Sequence, residues 1–158
     1  MKIIAVIPAR AGSKGLKNKN LFKINGRPLV YYTFSAFQKS NLSSCYILSD
    51  SKKIKNLAEK YSINSNYIRP KKVSTDKSST IDTVYDFSRW LSKKKINYDY
   101  LLILQPTSPL RTFKDINNVE KILKKYKPNS LFSVSESIEH PYVAITKKKK
   151  TWKKILKT

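Results

Sequence analysis

Apolar residues recur with two different spacings along this chain, and the two spacings alternate. Continuous apolar runs at Lys2–Ile7 and Tyr100–Leu104 predict buried strands, and shorter runs predict strands at Tyr46–Leu48 and Asn66–Ile68. Between these runs, apolar residues fall three and four positions apart, which is the spacing of one helix face. Alternating strands and helices predict an α/β fold with a mostly parallel sheet and helices on both faces.

Four helices are predicted, and three of them have a start signal. The first begins at Pro28, the second spans Lys52–Tyr61, the third follows the capping pattern S-T-I-D at 79–82, and the fourth is capped by Thr112 with a carboxylate three residues later. The remaining apolar runs predict more strands. They are Leu131–Val134 and the two strands of a hairpin, Val143–Ile145 and Trp152–Leu156.

The loop after the first strand, PARAGSKGLKNKN at 8–20, is named the first loop. It contains two of the three glycines in the chain, and both allow a sharp turn and close approach of the backbone to a ligand. Arg10 and Lys19 add positive charge, Asn20 adds an amide, and successive backbone amides in such a loop favour an anion. The loop therefore predicts a polyphosphate site, although it matches neither G-x-x-x-x-G-K-[ST] nor G-x-G-x-x-G. The alternative is a basic surface turn.

Three more polar loops follow predicted strands, at the sheet edge where α/β proteins bind ligands. Asp50 is a candidate for Mg²⁺, for a ribose hydroxyl or for a helix cap. Arg69 is placed to reach a phosphate or a base. Gln105 and Arg111 belong to the QPTSPLR loop at 105–111, where two prolines stiffen the backbone. An amide and a guanidinium suit a polar ligand that carries a carboxylate, and a structural turn is the alternative.

Composition and charge bear on the class of partner that the protein binds. The formal net charge is +23, which raises nucleic-acid binding as one hypothesis. However, the 33 basic residues include only five arginines, and the lysines are spread along the whole chain. We therefore expect no nucleic-acid partner, and we expect the charge to attract a small anionic substrate.

The chain also lacks several sequence signals. No apolar run reaches the ~20 residues that span a bilayer, and the N-terminus lacks a signal-peptide cleavage site, so a cytoplasmic protein without a membrane partner is expected. Cys45 and His140 each stand alone, and no Ser-His-Asp set is evident. The candidate residues therefore favour catalysis by charge neutralisation and substrate positioning, which is what phosphoryl or nucleotidyl transfer requires.

The segments IPARAGSKGLKNKNL, LSDS, IRP…STDKSST and LLILQPTSPLRT resemble the cytidylyltransferases that activate nine-carbon sugar acids. These are the acylneuraminate enzymes and the similar legionaminate and pseudaminate enzymes. The resemblance implies a Rossmann-like nucleotidyltransferase fold that transfers CMP from CTP to the anomeric hydroxyl of a 2-keto sugar acid. Pyrophosphate leaves, Mg²⁺ is the implied cofactor, and the full-length form is an implied homodimer.

The resemblance also assigns residues by position. Arg10, Lys19 and Gln105 would be catalytic. Gln105, Thr107 and Arg111 would face the sugar. The residues implied to bind the nucleotide are Ala9, Arg10, Gly12, Ser13, Lys14, Gly15, Lys19, Asn20, Arg69 and Thr80.

The chain departs from the family pattern in two ways. Lys17 replaces a customary proline, and family members continue well beyond residue 158 into a part that carries metal-binding aspartates. No metal ligand is assigned. We expect a cytidylyltransferase domain at 1–145 and the start of an incomplete C-terminal portion at 146–158. The alternatives are an enzyme for the eight-carbon acid Kdo, another sugar nucleotidyltransferase, or an inactive nucleotide-binding fragment.

Overall fold

The computed structural model describes residues 1–12, 15–16, 18–75, 78–136, 145–148 and 151–154. They divide into two compact units, Met1–Lys127 and Pro128–Thr158, and the predicted boundary at residue 145 stays a prediction. No helix within the described ranges is long and apolar enough to cross a membrane. The strands are β1 (Ile3–Pro8), β2 (Lys23–Ile24), β3 (Arg27–Pro28), β4 (Cys45–Leu48), β5 (Tyr100–Ile103), β6 (Ile145–Lys148) and β7 (Thr151–Lys154). The helices are α1 (Leu29–Gln38), α2 (Lys52–Glu59), α3 (Thr80–Lys93) and α4 (Phe113–Tyr126).

The first unit is organised around β1. This strand lies between β4 and β5 and pairs parallel with both, so the predicted parallel sheet is confirmed. Pro8 lies opposite Leu48 on one side, and Val6 lies opposite Ile103 on the other. The carboxyl ends of all three strands therefore meet at one edge of the sheet.

The side chains of β1 alternate between two apolar cores. Ile3, Ala5 and Ile7 pack with α1, α2 and α4, whereas Ile4 and Val6 pack with α3. This alternation is the period of two that a strand imposes on its side chains. Helices thus cover both faces of the sheet, as the sequence predicts.

The two predicted capping patterns are present. Ser79 and Asp82 form a reciprocal capping box at the start of α3, and Thr112 and Asp115 form one at the start of α4. Each carboxylate accepts the backbone N–H of its capping residue, and this hydrogen bond lowers the pKa of Asp82 and of Asp115.

Asn66–Ile68 is not a strand, so that prediction is wrong. The nearest ladder contact is an isolated bridge between Asn64 and Tyr46. The segment alternates buried and exposed side chains because it runs extended across α3, where the Tyr67 ring packs 5.1 Å from that of Phe87. Side chains that are alternately buried and exposed indicate only a segment with one side against the protein. A strand needs, in addition, a neighbouring strand that hydrogen-bonds with its backbone.

Leu131–Val134 is also not a strand, and its apolar side chains are exposed. A short apolar run has the composition of a strand, but it forms one only where a ladder partner is present. The C-terminal hairpin is confirmed with shifted bounds, because β6 and β7 pair antiparallel from Ile145–Lys154 to Lys148–Thr151. Residues 143, 144, 155 and 156 of the predicted hairpin lie outside the described residues.

The α3 face of the sheet provides a test of the core. The fully buried Phe87 ring lies 5.1 Å from Tyr46 and stacks at 5.7 Å on Trp90. Phe87→Ala is expected to lower the free energy of unfolding by about 3–5 kcal/mol, because it leaves a cavity among these rings. Tyr85→Ala on the exposed side of the same helix should change it by less than about 0.5 kcal/mol. Urea denaturation of both variants makes the comparison, and equal losses would contradict this core.

Candidate functional site

A cleft of about 480 Å³ opens at the edge of the sheet where β1, β4 and β5 end. The loops after β1 and β5, the segment between α2 and α3, and the start of α3 bring residues distant in sequence to one place. The lining residues are Pro8, Arg10, Gly15, Leu16, Lys19, Asn20, Arg69, Ser78, Thr80, Gln105, Pro106 and Thr107.

The first loop supplies one wall of this cleft. The backbone amide of Ala9 donates to the carbonyl of Leu48 at 3.1 Å, which keeps the chain beside β4 after β1 ends. The side-chain amide of Asn20 is buried and donates to the carbonyl of Arg10 at 3.0 Å. Asn20 therefore closes the loop upon itself, and Lys19 enters the cleft from a 3-10 turn at Lys19–Leu21.

Neither glycine of the first loop has a backbone conformation that only glycine adopts easily. The described residues with positive φ include Asn18 and Gly26 but neither Gly12 nor Gly15. A Cβ at Gly15 would meet nothing within 4 Å, and a Cβ at Gly12 would meet only the Arg10 guanidinium at 3.9 Å. Neither glycine therefore has the left-handed backbone that favours glycine, and the open space beside Gly15 is available to a ligand. Ser13 and Lys14 lie outside the described residues.

Arg69 is a buried cation in the wall of the cleft, with 6% of its surface exposed. Its Nε donates to the carbonyl of Val73 at 2.9 Å, and Nη2 donates to the same oxygen. Burial lowers the pKa of Arg69, the nearby Asp50 carboxylate raises it, and the nearby Arg10 guanidinium lowers it. Arg10 and Arg69 therefore bring two positive charges to one side of the cleft.

A polar network that the sequence analysis missed holds the Arg69 segment against α3. The Tyr67 hydroxyl donates to Asp86 at 2.9 Å, and the Lys72 ammonium lies 2.9 Å from the other oxygen of that carboxylate. Burial opposes ionisation of Asp86, but the hydrogen bonds from Lys72 and Tyr67 outweigh it and lower the pKa of this carboxyl. Asp86 sits within a helical pattern, so only the fold reveals that it faces the loop.

Asp50 does not cap the helix that follows it, so that one of its three sequence-predicted roles is wrong. Ser51, and not Asp50, caps α2 by accepting the backbone N–H of Ile54. Asp50 Oδ1 instead accepts the backbone N–H of Ala11 at 2.7 Å, which joins the end of β4 to the first loop.

The QPTSPLR loop supplies another wall through Gln105, Pro106 and Thr107. Arg111 does not line the cleft. Its Nη2 donates to the Gln105 carbonyl at 3.1 Å, and the Thr107 hydroxyl contacts the Gln105 side-chain oxygen at 3.4 Å. Burial lowers the pKa of Arg111, and Asp115 raises it. In this structure Arg111 braces the loop that carries Gln105.

The start of α3 adds Thr80 to the cleft, whereas Ala9 lies behind it. Ala9 is fully buried between two lining residues, Pro8 and Arg10. The predicted site residues that the structure describes therefore cluster around one cleft, with Ala9, Gly12 and Arg111 outside the set that lines it.

The chemistry of the donor set is that of an anion site. Arg10, Lys19 and Arg69 supply cations, and the amides of Asn20 and Gln105 supply neutral hydrogen-bonding groups. Across the described ranges there is no group of three or more His, Cys, Asp or Glu residues that could hold a metal ion. These residues fit phosphates and do not by themselves fit a Mg²⁺ centre.

Comparison with known proteins agrees with this chemistry. The family model described as "Cytidylyltransferase" matches residues 4–156. The chain is 38% identical over 136 residues to a CMP-N,N'-diacetyllegionaminic acid synthase of Legionella pneumophila, covering 85% of this chain. It is 35% identical to an N-acylneuraminate cytidylyltransferase of Escherichia coli over 80% of this chain, and 32% identical to a pseudaminic acid cytidylyltransferase of Campylobacter jejuni over 89%.

A solved structure supports the fold assignment. The CMP:2-keto-3-deoxy-manno-octonic acid synthetase in complex with CTP superposes with a TM-score of 0.65 at 20% identity, covering 80% of this chain and 49% of that one. The expected nucleotidyltransferase fold is thereby confirmed. The chain spans 58%, 28% and 61% of the lengths of the Legionella, Escherichia and Campylobacter proteins, respectively.

The open space at Gly15 provides a test of the first loop. Gly15→Ala should change the free energy of unfolding by less than about 0.5 kcal/mol, because its Cβ meets no protein atom. It should weaken binding of a nucleoside triphosphate by about tenfold, because the ligand would meet the added methyl group; calorimetric titration measures this, and tenfold corresponds to about 1.4 kcal/mol.

Gly26→Ala is the matched control. Gly26 has a φ of 74°, which an alanine adopts only with strain, so this variant should lose about 1 kcal/mol of stability and bind nucleotide normally. Normal binding by Gly15→Ala would place the nucleotide away from this loop.

Proposed function

The chain belongs to the cytidylyltransferase family, and on that premise we propose that it transfers CMP from CTP to a nonulosonic sugar acid. The anomeric hydroxyl of the acid forms a new bond to the α-phosphorus of CTP. The bond from that phosphorus to the bridging oxygen of the β-phosphate breaks, pyrophosphate leaves, and the hydroxyl proton is released. The three related enzymes named above, which act on legionaminic, acylneuraminic and pseudaminic acids, support this substrate class.

One observation carries the proposal: a single cleft is lined both by the cations Arg10, Lys19 and Arg69 and by the amide and hydroxyl groups of Gln105 and Thr107. Arg10 and Lys19 are suited to the triphosphate, and Gln105 and Thr107 to a polar acid. Two substrates bound in one cleft react as if one reactant were at a very high local concentration, which is a large part of the catalysis this reaction needs. Fixed cations then stabilise the charge that develops on the leaving pyrophosphate.

The base would lie against the backbone of Ala9. The N–H of this residue already donates to Leu48, so its carbonyl is the group left for a ligand. A carbonyl accepts a hydrogen bond from the 4-amino group of cytosine, whereas uracil presents an acceptor at that position. Arg69 and Thr80 complete this end of the proposed nucleotide site.

The sugar acid would contact Gln105 directly. The resemblance also assigns Arg111 to this side, but the guanidinium of Arg111 is directed at the Gln105 carbonyl. We therefore propose that Gln105 and Thr107 contact the acid and that Arg111 holds them in position.

Mg²⁺ enters the proposal only through the family resemblance. When bound, it would neutralise phosphate charge. The role of Arg10 and Lys19 is to bind and orient the phosphates, which their positions in the cleft allow without a metal ligand from the described residues.

The proposal also covers the location, oligomeric state and partners of the protein. We propose a cytoplasmic enzyme that acts as a homodimer in its full-length form and has no nucleic-acid or membrane partner. The support is the resemblance and the lysine-dominated charge, because nucleic-acid recognition surfaces are usually rich in arginine.

Pyrophosphate release tests the reaction. The purified chain is incubated with CTP, Mg²⁺ and one of four acids: N-acetylneuraminate, legionaminate, pseudaminate or Kdo. We expect release with a nine-carbon acid, and none with ATP in place of CTP. Release with Kdo alone would favour the eight-carbon alternative. CTP binding without release from any acid would identify a nucleotide-binding fragment, and absence of both would contradict the proposal.

Two variants test the assignment of the walls. Arg10→Ala should weaken CTP binding by tenfold or more, because it removes a cation from the phosphate wall. Gln105→Ala should raise KM for the sugar acid by about tenfold and leave CTP binding within threefold of the parent. Steady-state kinetics with each substrate varied in turn separates the two effects. Equal losses for both substrates in both variants would refute this division.

A further inference from the structure

We propose that Asp50 is a positioning residue that fixes the first loop where it leaves β1, so that Arg10 reaches the cleft already oriented. The inference rests on the proposed function for what the loop binds, and on the structure for how the loop is held. Asp50 does not line the cleft, and its carboxylate contacts the backbone of the loop.

The backbone around Arg10 is held at three successive residues. The Ala9 amide donates to the Leu48 carbonyl at 3.1 Å, the Arg10 carbonyl accepts from Asn20 at 3.0 Å, and the Ala11 amide donates to Asp50 at 2.7 Å. The β-ladder ends at Pro8 and Leu48, so the bond to Asp50 extends the junction of β1 and β4 beyond the sheet. Among the hydrogen bonds of the described residues, this is the last one that joins the first loop to the β4 side.

The position of the Asp50 charge is consistent with this role. The electrostatic neighbours of Arg69 include both Asp50 and Arg10. A carboxylate at this point partly offsets the repulsion between the two guanidinium groups. Ser51, and not Asp50, caps α2, and Asp50 belongs to no group of three metal-ligating side chains among the described residues.

Three variants of the 158-residue chain test the proposal. Asp50→Ala removes the acceptor, Asp50→Asn keeps an acceptor oxygen but removes the charge, and Asp99→Ala is the matched control. Asp99 accepts the backbone amide of Lys2 and so makes the same type of bond to β1 at the opposite end of the sheet. Loss of either bond should cost stability, but only one of the two lies at the cleft.

The first readout is amide hydrogen exchange at Ala11 in the absence of nucleotide. Exchange should be at least about tenfold faster in Asp50→Ala than in the parent, and within about threefold of the parent in Asp50→Asn and Asp99→Ala. This measurement does not depend on the proposed function. Equal exchange in the parent and Asp50→Ala would overturn the proposal.

The second readout is CTP affinity by calorimetric titration. Asp50→Ala should bind about tenfold more weakly, whereas Asp50→Asn should stay within threefold of the parent, because it keeps the acceptor and loses a negative charge that repels phosphate. Equal weakening in Asp50→Ala and Asp99→Ala would show a general loss of stability and overturn the positioning role. Parental affinity in Asp50→Ala would overturn it too. A parent chain that does not bind CTP would overturn the proposed function, and exchange at Ala11 would still decide whether Asp50 holds the loop.

Discussion

The pairing of β1 on both of its sides is the constraint on which the rest of this structure depends. Because β4 and β5 both run parallel to β1, three loops must leave the sheet at one edge. The side chains of β1 are buried on both faces, so the strand cannot slip by one residue without turning every side chain to the wrong core. The register that satisfies the two cores is the same register that brings Arg10 and the QPTSPLR loop to one cleft.

The cleft wall contains a buried cation, Arg69, whose N–H groups have a hydrogen-bond partner. A buried guanidinium costs several kcal/mol unless its N–H groups are satisfied, and the Val73 carbonyl accepts from two of those on Arg69. The turn at Lys71–Val73 that presents this carbonyl is fixed in turn by Asp86, which binds both Lys72 and Tyr67. Arg69 is therefore held as a rigid cation, and a rigid donor loses less entropy when it binds an anion.

The two walls of the cleft differ in how they are held. The first loop depends on the bonds of Ala9 and Ala11 to the β4 side as well as on its own Asn20, whereas the QPTSPLR loop is held by Arg111 and two prolines of its own. A loop stiffened by its own residues keeps its shape independently of the ligand, and a loop held by neighbours keeps its shape only while the sheet is intact. This difference explains why residues outside the cleft, such as Asp50 and Arg111, bear on its geometry.

Much of this protein follows from the sequence alone. The alternation of apolar runs determines the α/β class, because a buried strand and an amphipathic helix require different spacings, and the capping boxes at Ser79 and Thr112 are local enough to predict. The motifs also identified most of the cleft. Sequence could not decide that Asn66–Ile68 lacks a ladder, that Arg111 points at Gln105, or that Asp50 bonds Ala11. Each of these depends on which partner lies across space, and the tertiary structure alone brings together groups that are 39 residues apart, as Asp50 and Ala11 are.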